Sequence, residues 1–468
     1  MPIHSSFPHR RFRVDVLKIA AFLGLVAACG RPVGEDATGS ASSVFVSRAA
    51  PMSGPAGTNK VPVTRGGGYL SAGYLHTCAL LDTGAVKCWG HGEGGQLGLG
   101  DTRDRGGSNE MGDALPAVDL GRGRSAVALS AGGTRTCAVL DSGAVKCWGS
   151  KDCGPVPTAV GDALPAVDLG TGRRAVAVSA GGVHACAILD TGAVKCWGHG
   201  EDGQLGLGDT NDRDDANELG DALPAVDLGK GSRAVAVSAG GLHTCALLDS
   251  GVVKCWGSAD DGRLGRGTKK SRGGASNEIP AVDLGKGGRA VAVSAGGFHT
   301  CALLATGAVK CWGENRQGQL GLGDGKNRGV GPNEMGDALP AVDLGTGRTA
   351  VAVSAGMGHT CAILDTGAVK CWGEGMFGRL GLGDGEKRGD GPNEMGDSLP
   401  AVDLGAGRAV AVSAGGHHTC AVLDTGAVKC WGAGHSGELG LGDKRDRGGN
   451  PNEMGGALPA VDLGGLVR

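Results

Sequence analysis

Aromatic residues are scarce in this chain, only 3% of 468 positions, and just two of them are Tyr, at Tyr69 and Tyr74. A tyrosine nucleophile has almost nowhere to come from, and no paired Glu/Asp constellation of a glycosidase stands out. Charge of one sign is lacking as well. The 45 basic and 48 acidic residues leave a formal net charge of −3, which gives no electrostatic footprint for nucleic acid. No helical hydrophobic period runs through the body of the chain, and neither a G-x-S-x-G nucleophile elbow nor a phosphate loop occurs. These absences argue against a helical fold. They leave catalysis without a motif, so the chain reads as non-enzymatic, with no catalytic residue, cofactor or metal to assign.

Glycine is what the chain has in excess. The 94 Gly are five times the 18 Pro, and they lack the every-third-residue period of collagen. A hydrophobic content of 40% suffices for a core if Ala, Val and Leu pack sheet on sheet. The combination predicts a β-rich, turn-rich protein.

Residues 1–28 read as an export signal. Arg10, Arg11, Arg13 and Lys18 make a positive segment, and Ile19 to Ala28 is apolar and too short for a conventional spanning helix. Leu25, Val26, Ala27, Ala28 and Cys29 resemble a bacterial lipobox with Val in place of the usual Leu. That resemblance implies cleavage before Cys29 and thioether lipidation of Cys29; the alternative is ordinary cleavage with an unlipidated Cys. Residues 29–65 are rich in Gly, Ala, Ser and Pro without a hydrophobic period, and read as the lipidated Cys followed by a flexible tether. The expected location is the cell envelope or the outside of the cell, with the membrane reached through Cys29.

One unit then recurs. Residues 76–90 read HTCALLDTGAVKCWG, and close copies run at 135–149, 184–198, 243–257, 299–313, 359–373 and 418–432. The second Cys of each copy recurs at spacings of 59, 49, 59, 56, 60 and 59 residues. A strand-like AVAVSAG precedes most copies, and G-Q-L-G-L-G-D and then LPAVDLG follow most of them. Each unit supplies about four short strands, apolar on nearly every position, as when both faces of a sheet are covered. The expectation is an all-β fold, a seven-bladed β-propeller over residues 66–468. A parallel β-helix, which usually repeats at a shorter rung, ranks second.

The turn Asp82-Thr83-Gly84 suits a three-residue hairpin loop with Gly in the left-handed region. In that register Leu80 faces Val86, Ala79 faces Lys87, and Cys78 faces Cys88 at a close, non-hydrogen-bonded position that a disulfide can span. The same spacing predicts Cys137–Cys147, Cys186–Cys196, Cys245–Cys255, Cys301–Cys311, Cys361–Cys371 and Cys420–Cys430, and export favours the oxidised state. Reduced Cys packed as small apolar residues is the alternative. With Cys29 lipidated, Cys153 is left alone.

His76, His184, His243, His299, His359 and His418 read as buried donors to backbone carbonyls of a neighbouring turn, kept on separate blades by the rotation. Zinc held by His76, Cys78 and Cys88 is disfavoured, because only three ligands recur where structural zinc takes four. Trp89, Trp148, Trp197, Trp256, Trp312, Trp372 and Trp431, one per copy, are assigned to packing between blades. The acidic loops, such as 101–113 and 384–397, lack a twelve-residue calcium loop with its terminal Glu. They carry Arg105, Arg328, Arg388 and Arg447 among their carboxylates, and read as self-neutralised and solvated.

The recurring G-G-x-H-T, the turn Asp-Thr-Gly, the strand ending in Trp-Gly and the following G-Q-L-G-L-G resemble the regulator of chromosome condensation repeat family. The resemblance covers about Gly66 to Arg468. The Cys pair in every copy departs from the eukaryotic pattern and looks like a secreted bacterial branch. Blade two departs further: Arg135 replaces the His and the G-Q-L-G-L-G loop is missing, which accounts for the 49-residue spacing. The plant photoreceptor branch of the family places Trp inside its G-W-R-H-T motifs. The interior of the motif here holds Tyr74, Thr134, Val183, Leu242, Phe298, Met357 and His417, so no ultraviolet sensor is implied.

The resemblance implies a non-catalytic scaffold that binds proteins through loops on one face. The copies differ most after each Trp-Gly, where they read HGEGG, SKDCG, HGEDG, SADDG, ENRQG, EGMFG and AGHSG. Near-identical strands bearing diverse tips suggest a fixed frame with adjustable contacts; loops merely solvated and free to drift are the alternative. The candidate interaction rim is Glu93, Asp202, Asp261, Arg316, Met376, Phe377 and His435, and the expected partner is a protein of the cell surface or periplasm. Two rival functions remain. One is guanine nucleotide exchange by family analogy, although an exported chain would not meet the nuclear GTPase. The other is a carbohydrate-binding or glycoside-active propeller, although Trp89 lies seven residues after Asp82 where the sialidase-type hairpin has five.

Overall fold

The structure is a computed structural model that describes residues 69–150, 158–268 and 279–465. The proposed signal, the tether, Cys29 and Cys153 lie outside the described residues. The described chain folds into seven antiparallel sheets, each built from three consecutive strands. Blade one comprises Tyr69–Ala72, His76–Leu80 and Val86–Gly90, and blade two comprises Ala126–Ala131, Arg135–Leu140 and Val145–Gly149. The pattern recurs through Ala409–Ala414, His418–Leu423 and Val428–Gly432 of blade seven.

The hairpin takes the register expected of it. Leu80 pairs with Val86, Ala79 with Lys87 and Cys78 with Cys88. The turn closes through Leu81 N–H to Ala85 O and Gly84 N–H to Leu81 O, both 2.8 Å, with Gly84 at φ +79° where L side chains are strained. All seven Cys pairs are disulfides, with Cα atoms 4.0 Å apart in blade three and 4.1 Å in the others.

Three strands, not four, make each blade. The LPAVDLG segment is not a strand, because Pro116 has no N–H to donate to a ladder and the Asp119 carboxylate takes the Gly121 N–H at 2.9 Å. It touches its own sheet through Val118 N–H to Val86 O at 2.7 Å, and buries Leu115, Val118 and Leu120. A second difference lies on the first strand. A bulge in blades two to seven turns one Val outward, and Val127, Val176, Val235, Val291, Val351 and Val410 are exposed.

The core is divided among the junctions between blades. One cluster joins Cys78, Cys88 and Leu97 of blade one to Leu129, Ala138 and Trp148 of blade two, and six more repeat the arrangement. First strands bond directly to first strands, so they line the axis. Ser71 Oγ accepts the Ala131 N–H at 2.7 Å, and the same bond passes from blade to blade until Ser413 accepts the Ala72 N–H at 2.9 Å. A second ring runs through the glycine turns, from Tyr74 N–H to Gly132 O (3.0 Å) round to Gly416 N–H to Gly73 O (3.0 Å).

A lysine in each blade, buried in all but blade five where Lys310 is half-buried, carries no local signal of its role. Lys87 Nζ donates to Gly112 O at 2.8 Å and to Leu463 O at 2.9 Å, and Lys146, Lys195, Lys310, Lys370 and Lys429 each donate to the corresponding turn carbonyl. A charged donor is tolerated there because these carbonyls have no strand partner.

Candidate interaction face

The histidines are buried as expected, but their partner is a side chain. His76 Nε2 lies 2.8 Å from Thr136 Oγ1 of the next blade, and Thr136 spends its own proton on Gln96 O at 2.9 Å. The hydroxyl therefore accepts from His76 Nε2–H, which leaves Nδ1 unprotonated. Gly73 is required beside it, since a Cβ there would collide with the imidazole. Burial holds the imidazole pKa of His76, His184, His299 and His418 down to about 3, and that of His243 and His359 well below the usual range. In six blades the Trp uses the same carbonyl: Trp148 Nε1–H donates to Gln96 O at 3.0 Å, and Trp256, Trp312, Trp372, Trp431 and Trp89 repeat the bond. One loop carbonyl thus takes two protons from the following blade, which accounts for the Trp in those six copies.

These bonds place the loops. The residue after each Trp-Gly donates its N–H to the turn just before the His, as in His91 to Leu75 O (2.8 Å) and Glu374 to Gly358 O (2.9 Å). The described post-Trp-Gly loops therefore lie at one end of the strands, opposite the Asp-Thr-Gly turns. Of the candidate rim, Glu93, Arg316, Met376 and His435 are exposed, and Asp202, Asp261 and Phe377 are half-buried. Met376, Phe377 and His435 gather around one arginine and Asp261 and Asp202 lie in the field of a second, while Glu93 lies beside His91 and Arg316 beside Glu314.

The first centre is Arg379, the sixth residue after Trp372-Gly373. Its Nη1 meets Glu374 Oε2 at 2.6 Å and its guanidinium lies 5.7 Å from the Phe377 ring centre. Phe377 stands edge-on to His417 at 5.8 Å and to His435 at 5.2 Å, and His417 stands edge-on to Tyr74 of blade one at 5.1 Å. His417 Nε2 lies 3.1 Å from the Tyr74 hydroxyl. Met376 projects from this cluster, 42% exposed. Phe377 has φ +61°, an unfavourable backbone for a bulky residue, so the loop holds strain to keep the ring there. Below it, burial pushes the Glu438 carboxyl up to about 7, and the bond to Asp446 (3.3 Å) raises the His435 imidazole despite partial burial.

The second centre is Arg263, at the equivalent place in blade four. Its guanidinium lies 5.3 Å from the Phe298 ring centre and 3.4 Å from Asp261, whose φ of +56° repeats the Phe377 conformation. Glu314 of blade five lies in the fields of both centres, and burial raises its carboxyl pKa. The sequence held a signal for both sites: the sixth loop residue is Gln in blades one, three and five but Arg in blades four and six.

The acidic loops are closed by their own arginines, with Arg105–Asp101, Arg328–Asp324, Arg388–Asp384 and Arg447–Asp443 at 2.6–2.7 Å. Among the described residues no group of three or more His, Cys, Asp or Glu is placed to hold a metal ion.

A family profile described as the RCC1-like domain matches residues 106–465, and one described as the regulator of chromosome condensation (RCC1) repeat matches residues 69–96. The chain is 32% identical over 387 residues to the ultraviolet-B receptor UVR8 of Arabidopsis thaliana, covering 81% of this chain and 79% of the receptor. It is 31% identical over 246 residues to the human E3 ubiquitin-protein ligase HERC2, covering 52% of this chain but spanning only 5% of that ligase. Among solved structures, human WBSCR16 superposes with a TM-score of 0.57 at 21% identity, covering 83% of this chain and all of that one. Prp20p of Saccharomyces cerevisiae superposes with a TM-score of 0.57 at 19% identity, covering 85% and 87%. At these identities the structural likeness speaks for the fold.

Proposed function

The chain belongs to the RCC1-like domain family, and we propose that it is an exported, membrane-anchored, non-catalytic propeller that binds a protein partner through its post-Trp-Gly face. The observation that carries this reading is the strained loop of blade six. A left-handed Phe is held against His417, His435 and Arg379 while Met376 is left at the surface. Backbone strain that presents an apolar side chain is costly for folding alone and useful for recognition. The exchange-factor and glycoside-active alternatives draw no support from this geometry. Anchoring rests on the apolar run ending at Cys29, and the partner follows from that location: a protein of the cell surface or periplasm.

The test has two arms. Cross-linking of the mature protein in its own envelope, followed by titration with the captured protein, should give an affinity that Met376→Ala and Phe377→Ala each weaken by about 2 kcal/mol. Unchanged affinity would move the binding face elsewhere. Cys29→Ser should release the protein from the membrane fraction and abolish lipid labelling; unchanged partitioning and labelling would remove the anchor.

A further inference from the structure

Six of the seven blade junctions carry the same cover over their disulfide. The Thr of the following blade sets its hydroxyl against the first sulfur, as Thr136 does at 3.8 Å from Cys78 Sγ, and five more junctions repeat this at 3.9 or 4.0 Å. Between blades two and three the hydroxyl is absent, because that position holds Ala185. The loop that covers each of the other junctions is also the loop that blade two lacks. Three consequences coincide there. Cys147 is partly exposed, whereas the other thirteen paired cysteines are 0% exposed. Trp197, the only Trp of the seven without a loop carbonyl for its Nε1–H among the described residues, is also the most exposed of them at 6%. Arg135 takes the place of the His and extends toward blade three, where its Nη1 would lie 3.1 Å from a Cβ placed on Gly198.

We propose that Cys137–Cys147 is a thiol–disulfide exchange site, the one bridge among the described residues open to a low-molecular-weight thiol of the glutathione class. The thiolate attacks Sγ of Cys147, the partly exposed cysteine of the pair. A new S–S bond forms to Cys147, the Cys147–Cys137 bond breaks, and its electron pair leaves on Cys137 as a thiolate. Arg135, two residues earlier on the same face of the strand, places positive charge beside that leaving group and favours it. A second thiol then attacks the mixed disulfide and departs as the oxidised dimer, which leaves both cysteines reduced. The other six bridges stay closed, since exchange needs access to sulfur and their sulfurs have none.

The experiment uses the full mature protein in a Cys153→Ser background, so that no other protein thiol competes. Native protein is incubated with reduced glutathione, trapped with an alkylating reagent at graded times, and mapped by mass spectrometry. Cys137 and Cys147 should react on the order of tenfold faster than any other pair, with the glutathione adduct on Cys147. Uniform reduction of the seven bridges, or earlier reduction of another pair, would overturn the proposal. The double substitution Arg135→His with Ala185→Thr rebuilds the hydroxyl cover and should slow the reaction several-fold; an unchanged rate in a folded variant would show that the cover does not control access. If that variant fails to fold, the mapping of the parent chain decides by itself.

Discussion

The junction that closes the ring and the junction between blades two and three differ in the opposite sense from what chain connectivity suggests. Blades seven and one meet across 341 residues of sequence, and every bond of the repeating set is present: Ala72 to Ser413, Gly416 to Gly73, His418 to Thr77 at 2.7 Å, and Thr77 and Trp89 to Glu438 O. The chain end adds Gly112 N–H to Asp462 O at 2.9 Å and Lys87 to Leu463 O. Blades two and three are neighbours in sequence, yet among the described residues they keep of that set only the serine bond (Ala180 to Ser130, 2.9 Å) and the glycine bond (Gly133 to Gly181, 3.0 Å). Junction strength is thus decided by which side chains and loop carbonyls face each other. Being covalently adjacent contributes little, because the connecting segment packs on the blade it leaves.

The largest expected effect is acid unfolding of the six histidine junctions. A folded-state imidazole pKa near 3, against 6.5 unfolded, means that the unfolded chain takes up protons first as pH falls. Stability is then full above about pH 6.5 and falls toward pH 3, at up to about 1.4 kcal/mol per pH unit for each histidine. Glu438 works the other way: raised to about 7, it adds stability as pH falls from 7 toward 4.5, and Glu314, also raised by burial, acts in the same direction, whereas His417, held down to about 3, joins the six ring histidines. Denaturant midpoints measured from pH 8 to pH 4 should therefore decline steeply, and a flat profile would show that the ring histidines are not held neutral. Hydrogen exchange sharpens the comparison. At neutral pH the amides beside Ala185 should exchange first, whereas at pH 5 the histidine junctions should approach them.

A smaller effect comes from breaking the closing junction alone. Thr77→Val removes the acceptor of His418 and one donor to Glu438 O, both buried, and should cost about 2–3 kcal/mol in chemical denaturation. A loss no larger than that of an exposed substitution would mean that the threonine ladder does not hold the ring. Smaller again is the contrast between two tryptophans. Trp256→Phe forfeits a bond to Gln204 O, and Trp197→Phe forfeits none of that kind among the described residues. The first should cost about 1 kcal/mol more than the second. Equal losses would imply that packing, not the loop carbonyl, sets the value of the Trp.

How far these features were legible depends on the distance over which each is settled. The Cys78–Cys88 pairing could be read because a three-residue turn with Gly84 determines register within eleven residues. The fourth strand was misread because LPAVDLG alternates like a strand while Pro116 and Asp119 remove it from the ladder. The histidine partner was misassigned, since Thr136 is 60 residues from His76 and nothing local marks it. The coincidence of Arg135, Ala185 and the shortened loop at one junction was likewise invisible until the blades were placed side by side.

By itself, the sequence determined what is local or repeated: the hairpin, its disulfide, the number of blades, the position of the variable loops. The contacts between blades were settled by the assembled ring alone, namely the histidine–threonine–carbonyl set, the lysine bonds to turn carbonyls, the gathering of Tyr74, Phe377, His417 and Arg379, and the partly exposed Cys147. The reason is physical. Register and turn geometry are settled by bonds spanning a few residues, whereas the partner of a buried polar group is chosen by whichever blade the ring brings against it.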